Sequence, residues 1–243
     1  HKLRSVHLIH DYITKRTPST FRLPDLLGLL TKSPGLKRSI DKAYEITVYA
    51  LFSTIVRALK VNVTVAIENP EPELLRDFEA FLRAVLGLTP DRTSITFKAN
   101  LYRGGVTNAA DRGLDMISNF GPAVQVKHLS LTEELAEDIV EGIAAHKIVI
   151  VCKDADQSTI SRIFKQLGMA ERIQGIVTLS DLNRWYSLCM GEKYAEALGK
   201  NLIKDLEREF SSEFPTCEHI GPFISKRQYD KIPLPAGWKI EDI

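Results

Sequence analysis

The sequence contains little cysteine, and its cysteines follow no recognisable spacing. Cys152, Cys189 and Cys217 are odd in number and far apart, which excludes a paired disulfide framework and a cysteine-based zinc module. This usage favours a reducing compartment. Because no signal peptide is visible either, we expect a cytoplasmic protein.

Long apolar runs are also missing. No segment of the 243 residues is apolar over the length needed to cross a bilayer, so we expect no membrane partner. The chain is nevertheless long enough to bury a sizeable core. We predict a single domain spanning residues 1–243, in which residues 1–36 form an N-terminal arm and residues 214–243 an extended C-terminal tail.

An excess of charge of either sign is absent as well. Lys and Arg total 32 and Asp and Glu total 31, so the bulk charge argues neither for nor against a nucleic-acid partner. A glycine-rich phosphate loop is missing too, so we expect no nucleotide cofactor. A nucleotide-binding α/β protein remains a weaker alternative, because Asp154 and Asp156 follow a predicted buried strand, where such folds keep acidic residues.

Apolar periodicity predicts the order of the elements. A helical period covers residues 39–59, and three strand-like segments follow in "TSITFKANLY", "LDMIS" and "AVQVKHL". After them come a helix, the continuous apolar strand "KIVIVC", another helix and another strand. The order predicts an α/β fold with a mixed β-sheet flanked by helices, of the pattern αβββαβ.

Polar residues interrupt the second and third of these strands. Asp115 lies on the second strand, and Gln125 and Lys127 lie on the third, two residues apart. Side chains alternate along a strand, so Gln125 and Lys127 point to one face while Val124 and Val126 point to the other. Residues facing each other on antiparallel strands lie about 5 Å apart, close enough to share a cation. The pattern indicates a metal-dependent nuclease centre, and a solvated hairpin face is the simpler alternative.

Two helical glutamates are candidates for a further carboxylate at this centre. Glu79 has Arg83 one turn further on, a spacing typical of solvated surface pairs. Glu45 has Val48 and Phe52 on its face of the helix, where an unpartnered charge is costly and a metal ion would provide a partner. We therefore favour Glu45, with Glu79 as the alternative.

Longer segments support a resemblance to a known family. "DRGLD" followed by "VQVK" resembles the PD-(D/E)xK nuclease superfamily in its Mrr-like variant, which has Gln in place of the second acid. The segments "SPGLKRSIDKAYEITVYALF", "GVTNAADRGLDMISNFGPAVQVKHLSLTEELAEDIV", "IVIVCK" and "IQGIVTLSDLNRWY" are similar to the HaeII family of type II restriction endonucleases. The likeness runs from Ser33 to Tyr186, which is most of the chain.

The resemblance implies a restriction-endonuclease-like fold and Mg²⁺-dependent cleavage of both strands of double-stranded DNA at a short palindrome. For this family, the expected site is a GCGC core flanked by a purine and a pyrimidine. The resemblance assigns Asp115 to the metal, gives Gln125 the role of a weaker amide ligand, and makes Lys127 the residue that orients water or stabilises the phosphate. It also implies a metal-binding glutamate on the helix before the sheet, for which Glu45 is favoured and Glu79 is the alternative. A palindromic site favours a homodimer.

DNA contacts are expected from loops beside the predicted site. Arg103, Asn108 and Arg112 lie in or beside a glycine-containing turn, and Arg and Asn side chains are well shaped to contact guanine and adenine edges. Lys226 and Arg227 are candidates for phosphate contact. Two alternatives stay open: a methylation-directed or repair nuclease on the same core, and a catalytically silent module that only binds DNA.

Overall fold

The computed structural model describes residues 2–32, 40–68, 70–104, 114–143, 145–155, 157–166, 168–214 and 226. The helices in these ranges are α1 (Lys2–Thr14), α2 (Leu23–Lys32), α3 (Ile40–Ala58), α4 (Pro72–Asp77), α5 (Glu79–Phe81), α6 (Glu133–Gly142), α7 (Gln157–Gln166), α8 (Leu179–Met190) and α9 (Lys200–Glu213). The strands are β1 (Asn62–Ala66), β2 (Ser94–Lys98), β3 (Leu101–Arg103), β4 (Met116–Ser118), β5 (Pro122–Val126), β6 (Lys147–Cys152) and β7 (Ile173–Thr178). Two π-helical turns occupy Leu82–Leu86 and Ala195–Gly199.

Five strands form one mixed sheet in the order β3-β4-β5-β6-β7. The first three are antiparallel neighbours, whereas β5, β6 and β7 run parallel. Parallel neighbours need a crossover, which α6 provides between β5 and β6 and α7 between β6 and β7. The predicted α/β class, with a mixed sheet flanked by helices, is confirmed.

Two apolar clusters lie on the two faces of this sheet. The larger one contains Val124, Val126 and Val151, and the smaller one contains Ile148 and Ile150. Adjacent residues of β6 therefore serve opposite faces, as expected of a strand that is apolar throughout and covered on both sides.

The predicted N-terminal arm supplies part of the larger cluster. Residues 2–32 form α1 and α2, and their buried side chains pack with those of α3, α8 and α9. Ile13 and Leu26 are each 0% exposed, so these helices belong to the core. Of the predicted C-terminal tail, residues 214 and 226 are described, and the other positions lie outside the described residues.

The first strand of the predicted meander is divided between two sheets, so the continuous strand predicted there is wrong. Residues 94–98 pair with β1 in a separate two-stranded sheet, and residues 101–103 pair with β4 in the main sheet. The Asn119 side chain bonds the chain at this division: its oxygen accepts from the Asn100 amide at 2.8 Å, and its nitrogen donates to the Lys98 carbonyl at 2.9 Å. No helix within the described ranges combines the length and apolarity that membrane crossing requires.

Candidate active site

The β4–β5 pair brings Asp115 next to Gln125. Met116 lies opposite Val124 in the antiparallel register, and continuing that register by one residue places Asp115 opposite Gln125. The Gln125 amide nitrogen donates to Asp115 Oδ2 at 2.8 Å. The backbone N–H of Val126 donates to the same oxygen at 2.7 Å, so two donors fix this carboxylate.

Burial separates this arrangement from an ordinary hairpin surface. Gln125 is 2% exposed, so the alternative of a solvated hairpin face is wrong at this position. Val124 and Val126 point into the larger cluster, as their alternation with Gln125 predicts. An amide buried on a strand is costly unless it has partners, and Asp115 supplies one of them.

Lys127 follows β5 directly and acts on the same carboxylate. Its backbone N–H donates to the Val151 carbonyl at 2.8 Å, which continues the parallel pairing with β6. Burial raises the pKa of Asp115 above its ordinary value, while the Val126 amide and the charges of Lys127 and Lys42 act to lower it. The ammonium of Lys127 is therefore near enough to Asp115 to favour its ionised form.

The structure separates the two candidate helical glutamates. Glu79 is exposed and pairs with Arg83 at 2.7 Å, the ordinary surface contact that its spacing predicts. Glu45 is 2% exposed. Burial raises the pKa of Glu45, the hydrogen bond and charge of Lys42 lower it, and the negative charge of Asp115 raises it further. Glu45 therefore lies in the electrostatic neighbourhood of Asp115.

Two buried oxygens of this group bear on metal binding, and one of them, Glu45 Oε1, is 3.5 Å from the Arg103 guanidinium. Among the described residues, neither Glu45 Oε1 nor Gln125 Oε1 has a hydrogen-bond partner. Buried acceptors without partners are uncommon, and a cation is one of the groups that can satisfy them. No group of three or more His, Cys, Asp or Glu side chains in the described ranges is arranged to hold a metal ion. The candidate ligands here are two carboxylates and one amide, and their oxygens fit a hard cation such as Mg²⁺.

The Arg103 side chain is mostly buried and lies within an ion cluster. Its side chain is 13% exposed, and its guanidinium is 2.9 Å from Glu213, 3.5 Å from Glu209 and 3.5 Å from Glu45 Oε1. Burial alone would lower the pKa of Arg103, but the carboxylates, led by Glu213, raise it. Contact between Arg103 and a base would require this ion cluster to break.

The other predicted DNA-contacting residues are Asn108, Arg112, Lys226 and Arg227. Asn108, Arg112 and Arg227 lie outside the described residues, and Lys226 is exposed. Gly104 shows how closely the turn approaches the site: its amide donates to the Asp115 carbonyl at 2.8 Å. A Cβ at Gly104 would lie 2.9 Å from the carbonyl oxygen of Leu114, so a residue without a side chain is needed there.

Sequence reasoning missed three residues of this region. Glu209 and Glu213 belong to α9, whose buried Leu202, Leu206 and Phe210 recur every four residues and give a helical signal in the sequence. Lys42 lies three residues before Glu45 and contacts it at 2.6 Å. The three-residue spacing between Lys42 and Glu45, which brings both side chains to one face of the helix, was the signal in the sequence.

The mixed sheet flanked by helices is consistent with a restriction-endonuclease-like fold, and the contact between Asp115 and Gln125 lies where its antiparallel strands β4 and β5 pair. The family model described as HaeII restriction endonuclease matches residues 2–229. The chain belongs to the HaeII restriction endonuclease family.

Two curated relatives share close to half of the sequence. The type II restriction enzyme HaeII of Haemophilus aegyptius is 44% identical over 223 residues, which cover 91% of this chain and 63% of the relative. The type II restriction enzyme NgoBI of Neisseria gonorrhoeae is 46% identical over 223 residues, 90% of this chain and 63% of the relative. The chain thus spans slightly less than two thirds of the length of these relatives. No solved structure matches the chain.

Proposed function

We propose that this chain carries the catalytic centre of a Mg²⁺-dependent type II site-specific deoxyribonuclease that hydrolyses both strands of double-stranded DNA. The observation that supports this most directly is the partly buried contact between Asp115 and Gln125, at 2.8 Å, in reach of the charges of Lys127 and Glu45. The similarity to type II restriction enzymes supports the same activity.

Each residue has a chemical role in this proposal. Glu45 and Asp115 would hold the cation through carboxylate oxygens, and Gln125 through its amide oxygen, while its nitrogen stays bonded to Asp115. The bound ion would supply Lewis acidity at the phosphate and a more acidic water. Lys127 would orient the attacking water or stabilise the charge that develops on the phosphate oxygens.

The DNA substrate follows from the family resemblance. We propose a palindromic site with a GCGC core flanked by a purine and a pyrimidine, cut by a homodimer in which each subunit hydrolyses one strand. Asn108 and Arg112 are proposed to contact bases, and Lys226 and Arg227 to contact phosphates. We propose that the enzyme acts in the cytoplasm.

Cleavage of unmethylated phage DNA tests the proposal. The protein is incubated with this DNA in Mg²⁺ or in EDTA, and the fragment ends are sequenced; Asp115→Asn is the inactive control. We expect discrete ends at one short palindrome in Mg²⁺ and none in EDTA. Binding without cleavage would favour the silent DNA-binding module. Cleavage that appears only when the DNA is methylated would favour a methylation-directed enzyme.

A further inference from the structure

Lys42 connects the buried carboxylates to solvent. It lies in the first turn of α3, and its Nζ is 2.6 Å from Glu45 Oε2. The Lys42 side chain is 30% exposed, whereas that of Glu45 is 3% exposed. The ammonium therefore approaches a buried acid from the protein surface.

The charge of Lys42 also reaches the second carboxylate. It lowers the pKa of Asp115, as the charge of Lys127 does. The residue before Lys42 helps to hold this geometry, because Asp41 contacts the His128 ring, and His128 directly follows Lys127. The first turn of α3 is thus joined to the end of β5, with one lysine on each element near the same acid.

Two neighbouring carboxylates repel each other when both are ionised, so they need a positive partner. The negative charge of Asp115 raises the pKa of Glu45, and Lys42 opposes this effect. A divalent cation bound to Glu45 would likewise stabilise the ionised carboxylates. The ammonium of Lys42, on a flexible four-carbon stem, would then be free to bind an incoming anion.

We propose that Lys42 is a second phosphate-binding lysine of this site, which pairs with Glu45 in the metal-free protein and moves to a non-bridging oxygen of the scissile phosphate when cation and DNA are bound. The inference rests on the proposed nuclease function. The alternative is a purely structural role, in which Lys42 stays paired with Glu45 both in the free protein and in the complex with cation and DNA. The two roles predict different kcat values at saturating metal, because a purely structural ion pair would not touch the phosphate.

The test combines metal binding with cleavage. Mn²⁺ affinity is measured by electron paramagnetic resonance, and cleavage rates are measured on a duplex that carries the site mapped from fragment ends. The variants are Lys42→Met, Lys42→Arg and the control Lys15→Met. Lys15 forms an exposed helical ion pair with Asp11 at the same 2.6 Å distance. Thermal unfolding of each variant shows whether it is folded.

We expect Lys42→Met to bind Mn²⁺ a few-fold more tightly, because the cation no longer displaces an ammonium from a partly exposed pair. At saturating Mg²⁺ its kcat should fall on the order of 10²-fold, the usual effect of losing one positioned charge. Lys42→Arg should retain most of the kcat, and Lys15→Met should match the wild type in both measurements.

Weaker Mn²⁺ binding by Lys42→Met, with cleavage restored by excess metal, would overturn the proposal in favour of the structural role. An unchanged kcat would also overturn it. If the wild-type protein cleaves no DNA at all, the proposed function fails instead. In that case the Mn²⁺ measurement still decides whether Lys42 competes with a cation for Glu45. Equal Mn²⁺ affinity of Lys42→Met and the wild type would show that it does not compete.

Discussion

The main sheet and the two-stranded sheet contain strands with similar sequence patterns and opposite surroundings. Every residue of β5 is buried, including Gln125. In the two-stranded sheet, Thr64 and Thr96 bond each other across the strands in an exposed position, and Val65 and Phe97 are each 37% exposed. Helices cover both faces of the main sheet, so a polar residue there needs a specific partner, and that requirement produces the candidate site.

The same contrast extends to the helices. On α3, Val48 and Leu51 are fully buried behind Glu45. Between β1 and β2, four apolar side chains recur with a helical period but are each more than half exposed: Leu74, Phe78, Phe81 and Val85. An apolar period predicts the helix correctly in both regions, but burial depends on which other elements cover it.

The largest expected effect is on catalysis in the main sheet. Lys127→Ala should lower the cleavage rate about 10²–10³-fold, because one positioned charge is lost, while the thermal midpoint stays close to that of the wild type. The matched control is Lys98→Ala on β2, where the lysine contacts Asn62 at 3.0 Å in an exposed position. Equal loss of activity in both variants would contradict a specific role for the lysine beside the main sheet.

The next prediction compares two arginine ion pairs. Arg103→Met should lower the free energy of unfolding by about 3–5 kcal/mol, because it leaves the buried carboxylates of Glu45, Glu209 and Glu213 without their shared cation. Arg83→Met removes an exposed partner of Glu79 and should cost about 0–1 kcal/mol. Urea unfolding of both variants measures the difference. Similar losses would contradict the buried position of Arg103.

A smaller effect is expected from crowding the turn beside Asp115. Gly104→Ala should lower the free energy of unfolding by about 1–3 kcal/mol, because the new Cβ meets the backbone oxygen of Leu114. Gly28→Ala is the control, and we expect it to raise the free energy of unfolding. It lies within α2 with nothing within 4 Å of a new Cβ, so alanine should stabilise that helix by about 1 kcal/mol. Stabilisation by both substitutions would show that the turn is not crowded.

The smallest predicted effect is a pH dependence of stability in EDTA. The pKa of Asp115 is raised mainly by burial. Its contribution to stability is therefore fully present below the pKa of the unfolded chain and is lost as pH rises through the higher folded pKa. Asp115→Asn should gain stability relative to the wild type as pH rises above the ordinary aspartate pKa of about 4, as followed by thermal unfolding. If Asp115→Asn instead lost stability relative to the wild type as pH rises, the folded-state pKa of Asp115 would be lowered rather than raised.

The sequence predicts the local parts of the site better than the distant ones. Alternation along β5 places Gln125 opposite to the two valines, and the apolar neighbours of Glu45 predict its burial. The ion cluster around Arg103 was not predicted, because its partners Glu209 and Glu213 lie on α9, more than 100 residues away. The division between β2 and β3 likewise depends on the side chain of Asn119. Contacts of this kind depend on tertiary packing and leave no periodic signal.

We propose that Glu45, Asp115 and Gln125 bind one divalent cation beside Lys127. An anomalous-scattering map from crystals grown with Mn²⁺ tests it most directly. We expect an anomalous peak at direct ligand distance from oxygens of all three residues. A peak held by other residues, with Asp115 still bonded to Gln125 and no density between them and Glu45, would contradict it.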